Sequence, residues 1–185
     1  MGMERILEEN LAQHPSSIEP GLTLLTRQFG LVPAWAGGDR SNLDWDPYVH
    51  GPKLVDLVLF QPDDPAHIIL CELKYGGGEG DSGLIQLLDY WQFLREDQNA
   101  QGRLRALTPP ASGTRLDIVG SCGLYLIVGG HVSEFLRRRV GYFIADLSSR
   151  LKVFQALPEP QPKQGRLDPS LTYQWRIRRI LPVDA

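Results

Sequence analysis

KLVDLVLFQPDDPAHIILCELKYG, running from Lys53 to Gly76, decides the fold of this chain. Val55 to Phe60 reads as one strand and His67 to Lys74 as a second. Gln61 to Ala66, carrying Pro62, Asp63, Asp64 and Pro65, reads as the turn between them. Both strands are apolar on both faces, the pattern of central strands covered on each side. Three charges break this pattern: Asp56 in the first strand, Glu72 and Lys74 at the end of the second. Side chains alternate across a strand, so Glu72 and Lys74 share a face with Leu73 opposite, and Asp56 reaches the same place if the strands are neighbours. Charges at the edge of a buried sheet are costly unless they hold a metal or one another.

Two carboxylates and a main-chain carbonyl are hard oxygen ligands, suited to Mg²⁺ or Mn²⁺. A cation held there acidifies a bound water and polarises a phosphoryl oxygen, and an ammonium beside it can offset charge in the transition state. The competing reading is a buried ion pair of Lys74 with Asp56 or Glu72 that serves only the fold. Asp56 followed by Glu72-Leu73-Lys74 on the next apolar strand resembles the PD-(D/E)XK nuclease superfamily. The resemblance implies that Asp56, Glu72 and the Leu73 carbonyl bind the metal and that Lys74 serves catalysis.

A chain of 185 residues, 42% of them hydrophobic, forms one domain with a real core. Its net charge of -3 excludes a broadly basic coat, so any nucleic-acid contact must be a local patch. Cys71 and Cys122 lack metal-ligand spacing, and a reduced, cytoplasmic setting follows by default. No apolar run approaches membrane-spanning length, and no signal-peptide centre is seen at the N-terminus.

The opening segment reads as a helix over about Glu4 to Gln13, with Ile6, Leu7 and Leu11 as its apolar stripe and His14-Pro15 as its stop. Glu4, Glu8 and Glu9 read by pattern alone as a solvated face. A strand from Leu22 to Phe29 follows. Leu7-Glu8-Glu9-Asn10-Leu11, then His14-Pro15, then Ile18-Glu19-Pro20-Gly21-Leu22 resemble the start of the NucS endonuclease nuclease domain. That resemblance implies Glu8 as a catalytic or metal-site residue, with Glu9 next if the register slips by one.

The segment from Gly30 to Pro52, with Trp35, Trp45 and Tyr48, reads as a loop, either a lid or a surface on which bases stack. After Lys74 a glycine-rich loop leads to a helix from about Gly83 to Arg95, capped by Asp81 or Ser82. Leu84, Leu87, Leu88, Trp91 and Leu94 form its core stripe. Gln86 and Tyr90 lie four apart on an adjoining face. This Gln-x-x-x-Tyr resembles the extra motif of RecB-like and NucS-like nucleases, which implies that Gln86 acts on the catalytic water or a phosphate and that Tyr90 contacts substrate.

The second half carries fewer signals. Asp97 to Thr114 reads as a polar loop, Gly123 to Val128 as a buried strand, and Ser133 as the start of a helix whose Arg137, Arg138 and Arg139 point in different directions. Leu151 to Leu157 reads as a strand, and Pro158 to Pro169 as a linker. The terminal strand, Tyr173 to Ile180, places Arg176 and Arg178 on one face, a basic row that either follows a phosphate backbone or blunts an edge. Together these readings give an α/β domain of restriction-endonuclease-like fold, a mixed central sheet flanked by helices. Residues 1–95 form the catalytic core and 96–185 the remaining sheet, helix and C-terminal strands. The expected activity is Mg²⁺- or Mn²⁺-dependent phosphodiester hydrolysis in nucleic acid, with DNA favoured and a homodimer allowed. The alternatives are a catalytically silent binding or assembly module and a defence nuclease subunit of a larger complex. Full NucS proteins carry a further N-terminal domain, so mismatch specificity is not carried over.

Overall fold

A computed structural model describes residues 2–31, 54–76, 80–107, 120–147, 150–160 and 173–181. The expected loop between Gly30 and Pro52 and most of the expected linker after Pro158 lie outside them. The order of elements is α1 (Met3–Gln13), β1 (Thr23–Gly30), β2 (Leu54–Gln61), β3 (Asp64–Tyr75), α2 (Gly80–Glu96), α3 (Gln98–Leu107), β4 (Gly123–Gly129), α4 (Glu134–Leu147), β5 (Leu151–Glu159) and β6 (Gln174–Leu181). The strands form one six-stranded sheet in sequence order. β1, β2 and β3 are antiparallel neighbours, β3, β4 and β5 run parallel, and β6 closes the far edge antiparallel to β5. The sheet is thus mixed.

Two apolar layers sandwich it. On one face Leu7 and Leu11 of α1 pack on Leu57, Leu59, Ile69, Cys71, Leu73, Ile127 and Phe154. On the other, Leu84, Leu87 and Leu94 of α2, Leu104 of α3 and Leu136 and Val140 of α4 pack on Val58, Ile68, Leu70, Leu124 and Val153. The parallel steps from β3 to β4 and β4 to β5 need crossovers, and the helices of both lie on this second face. β3 and β4 are central, and every described residue of β4 is buried, as their unbroken apolar sequences require.

Three boundaries differ from the sequence reading. The turn between β2 and β3 is shorter than expected, because Gln61 already pairs with Asp64 across Pro62-Asp63. The next pair is Phe60 with Ile68, so the residues from Pro65 to His67 form a bulge where proline has no N–H to give the ladder. The region read as a polar loop after Asp97 contains α3. Asp97 caps it, its Oδ1 accepting from the backbone N–H of Asn99 at 2.8 Å and of Ala100 at 3.2 Å. Gln101 on this helix donates to the carbonyl of Leu94 at 2.8 Å, satisfying a group that the end of α2 leaves open. Finally, α2 starts at Gly80, so Asp81 and Ser82 sit in its first turn rather than at its cap.

Candidate active site

The ladder between β2 and β3 stops at Leu57 paired with Cys71, two residues before Leu73. A residue's N–H and C=O point to the same side of a strand, so Leu73 and Tyr75 turn theirs toward β2, with no strand partner there among the described residues. Carboxylates take the two amides. Leu73 N–H donates to Asp56 Oδ2 at 2.8 Å, and Tyr75 N–H donates to Glu4 Oε2 at 3.3 Å. The Leu73 carbonyl therefore faces the same gap as Asp56. The acids gather where pairing ends because unpaired buried amides need acceptors.

Glu72 and Lys74 continue the alternation of Ile68 and Leu70 toward α2. Glu72 is 2% exposed. Lys74 Nζ lies 2.7 Å from Glu72 Oε1 and 3.7 Å from Glu4 Oε1. Gly83 in α2 permits this packing, since a Cβ there would meet Lys74 Cγ at 2.6 Å. Glu72 Oε2 is buried and has no hydrogen-bond partner among the described residues. Burial, then the charge of Asp56, push the Glu72 carboxyl up to about 8, against the opposing pull of Lys74. Asp56 is also raised, chiefly by burial, with the Leu73 amide and Lys74 opposing. Burial works against the Lys74 ammonium, but the hydrogen bond and charge of Glu72, aided by Glu4 and Asp56, outweigh it and raise its pKa.

β1 supplies the next shell of contacts. Gln28 has φ 47, a left-handed conformation rare for a residue with a side chain. Its amide donates to Asp56 Oδ1 at 3.1 Å. The interruption also lies between Phe29, which packs toward the helices α2 to α4, and Arg27, which turns toward α1. Arg27 donates through Nε at 3.1 Å and Nη2 at 3.0 Å to Oε1 of Glu8. Glu8 is itself buried on α1. A cleft of about 560 Å³ is lined by Gly2, Glu4, Arg5 and Glu8 of α1, Arg27 and Gln28 of β1, and Asp56. Of its lining residues, Glu4 contacts Lys74 and Asp56 accepts from the Leu73 amide, which ties the cleft wall to the Glu72–Lys74 pair.

The structure thus brings Asp56, Glu72, Leu73 and Lys74 together, with Glu8 in the adjoining cleft. Glu9, the candidate for a shifted register, points away and pairs with exposed Arg5 at 3.2 Å. Tyr90 is buried under the cluster. Burial, followed by the charges of Glu72 and Asp56, raises its hydroxyl, which stays a proton donor. Gln86 is exposed on α2. Arg176 and Arg178 stand apart, on β6, three strands from β3. Arg176 pairs with Glu159, and Arg178 donates to Gln155 Oε1 at 2.8 Å through Nε, so both clasp β5. Glu4, Arg27 and Gln28 are the contributors that the sequence reading passed over. Glu4 had one signal: it lies one helical turn before Glu8, on the same face.

Among the described residues no group of three or more His, Cys, Asp and Glu side chains is placed to hold a metal ion. The donor set here is two carboxylates and one carbonyl, which suits a cation that keeps several waters. The unpartnered Oε2 of Glu72 and its raised pKa fit such a guest, because a cation would supply the missing partner and favour the ionised form. No family model, curated protein or solved structure matches this chain.

Proposed function

We propose that this protein is a metal-dependent nuclease of restriction-endonuclease-like fold, similar to the NucS nuclease domain, hydrolysing phosphodiester bonds with DNA as the favoured substrate. The observation that carries this reading is the buried set of Asp56, Glu72 and Lys74, with an unpartnered carboxylate oxygen, beside an open cleft. Asp56, Glu72 and the Leu73 carbonyl would hold Mg²⁺ or Mn²⁺. That ion would supply a water of lowered pKa and charge stabilisation at the phosphoryl oxygens.

The chain's own groups do the rest. Lys74 presents a compact ammonium to the attacking water or the developing charge, and Glu72 and Glu4 hold it in place. The Leu73 amide and Gln28 fix the carboxylate plane of Asp56 from two sides. Arg27 orients Glu8 at the cleft, where Glu8 supports the metal site. Tyr90 offers a hydroxyl that remains protonated, and Gln86 awaits substrate at the surface. A reducing, cytoplasmic setting agrees with two buried unpaired thiols, Cys71 and Cys122.

A catalytically silent module is the second reading. It is favoured by one fact: both oxygens of Asp56 are already hydrogen-bonded, so the acids also work as caps for an unpaired strand. A cleavage panel decides between the two. Single-stranded and duplex DNA and RNA are incubated with Mg²⁺ or Mn²⁺, using the intact protein and Glu72→Gln. Cutting that needs the ion and Glu72 supports the nuclease; the absence of cutting on every substrate supports the silent module.

A further inference from the structure

We propose that the outer face of α4 is a docking track for single-stranded nucleic acid, on which bases stack. The choice of partner rests on the nuclease reading. The track itself rests on a different part of the molecule.

α4 buries Leu136 and Val140 against the sheet. Its opposite face carries Phe135, 59% exposed, and Tyr142, 81% exposed. Seven residues apart, they lie on one stripe of the helix, about 10 Å from end to end. That span matches about three stacked nucleotides at ~3.4 Å each. Between them stand Arg138 and Arg139. The Arg139 guanidinium lies 5.3 Å from the centre of the Phe135 ring, a ready cation–π pair. Arg138 shares Glu134 at 3.6 Å. From Glu134 to Tyr142 three arginines oppose that single glutamate, a local positive excess in a chain of net charge -3.

Two exposed rings with guanidinium groups between them suit a polyanion that also offers flat apolar faces. A duplex offers chiefly phosphates along its outside, which arginines could bind without aromatic help. A single strand offers unpaired bases, and base–aromatic stacking tolerates any sequence.

Position supports the choice. Lys74 on β3 aligns with Val128 on β4, and the chain enters α4 soon after leaving that end of β4. The first turn of α2 separates the two features: a Cβ on Gly83 would strike Lys74 Cγ, and one on Gly80 would strike Leu136 Cδ2, each at 2.6 Å. The first turn of α4 is thus linked to Lys74 through Leu136 and one turn of α2, with the Phe135–Tyr142 stripe on the outer side of the same helix.

The test is binding without cleavage. Fluorescence anisotropy is measured in EDTA with labelled oligothymidylate DNA and oligouridylate RNA, each about 12 nucleotides long. Phe135→Ala and Tyr142→Ala should each weaken binding about tenfold, and Leu107→Ala, another exposed apolar side chain, should leave it unchanged. Arg139→Ala should lower the slope of log affinity against log salt by about 0.7. The DNA and RNA arms identify which strand the track prefers. An intact protein that binds neither oligonucleotide, or binds them as well without Phe135 and Tyr142, overturns the proposal. So does a protein dimer that Tyr142→Ala dissociates while oligonucleotide affinity is unchanged, since the face would then join two copies of the chain. Binding that needs both rings in a protein that never cuts would keep the track and discard the nuclease. Cutting with affinity indifferent to both rings would do the reverse.

Discussion

Glu72→Gln should stabilise the metal-free protein above neutral pH and change it little in mild acid. The carboxyl rises from 4.5 to about 8 on folding, first because it is buried and then because Asp56 is near. The folded chain therefore holds this proton more tightly than the unfolded chain does. Between pH 4.5 and about 8, unfolding releases a proton, so raising the pH through this window favours the unfolded state. At about 1.4 kcal/mol per pH unit, the accumulated penalty is on the order of 4–5 kcal/mol by the top of the window. Glu72 is 2% exposed, so solvent does not screen this cost away. Glutamine keeps an acceptor for Lys74 and carries no charge to desolvate. The assay is urea denaturation in EDTA at about pH 5 and about pH 8.5 for both proteins. The intact protein should lose several kcal/mol between the two, and the variant much less, with the remaining slope owed partly to Asp56. With Mn²⁺ the intact protein should recover most of the loss at high pH, because the proposed site would bind the cation through an ionised Glu72. Parallel stability curves for the two proteins, with and without Mn²⁺, would refute both the burial argument and the metal assignment.

Four other changes probe the rest of the site. Lys74→Met should fold at neutral pH, since Glu72 can stay protonated, but cleave about a hundredfold slower or worse in single-turnover assays; Lys74→Arg should not rescue it. Asp56→Asn keeps an acceptor for the Leu73 amide, so it should melt near the intact protein yet lose Mn²⁺ binding by calorimetric titration. Glu8→Gln should cost about tenfold in rate, or roughly 1.4 kcal/mol, whereas Glu9→Gln, at the exposed partner of Arg5, should cost nothing measurable. Leu7→Ala, which empties a fully buried position between α1 and the sheet, should lower unfolding free energy by about 2–5 kcal/mol.

The centre of this molecule was legible because its signals are local. Two all-apolar strands with three charges near their ends announce a buried sheet with a polar edge, and Asp56, Glu72 and Lys74 do meet there. α3 was hidden because its buried residues are only Ala100, Gln101 and Leu104, too sparse a stripe to stand out from a polar loop. Asp97, its cap, was the available clue. Arg27 and Gln28 could not be read at all. The Arg27 partner is nineteen residues away on another element, and a left-handed strand residue announces itself in sequence only when it is glycine. The roles of Arg176 and Arg178 turned on sheet order, which β6 settles by lying at the far edge.

The carboxylates that hold the amides of Leu73 and Tyr75 have a spectroscopic consequence. In most of a sheet an amide proton reports on strand pairing and is blind to side-chain chemistry. These two are bonded to Asp56 and Glu4, so their chemical shifts and exchange rates follow the charge and occupancy of the acids themselves. Two backbone resonances can therefore test for proton loss at Asp56 and for the binding of an added cation, with no label attached to the site.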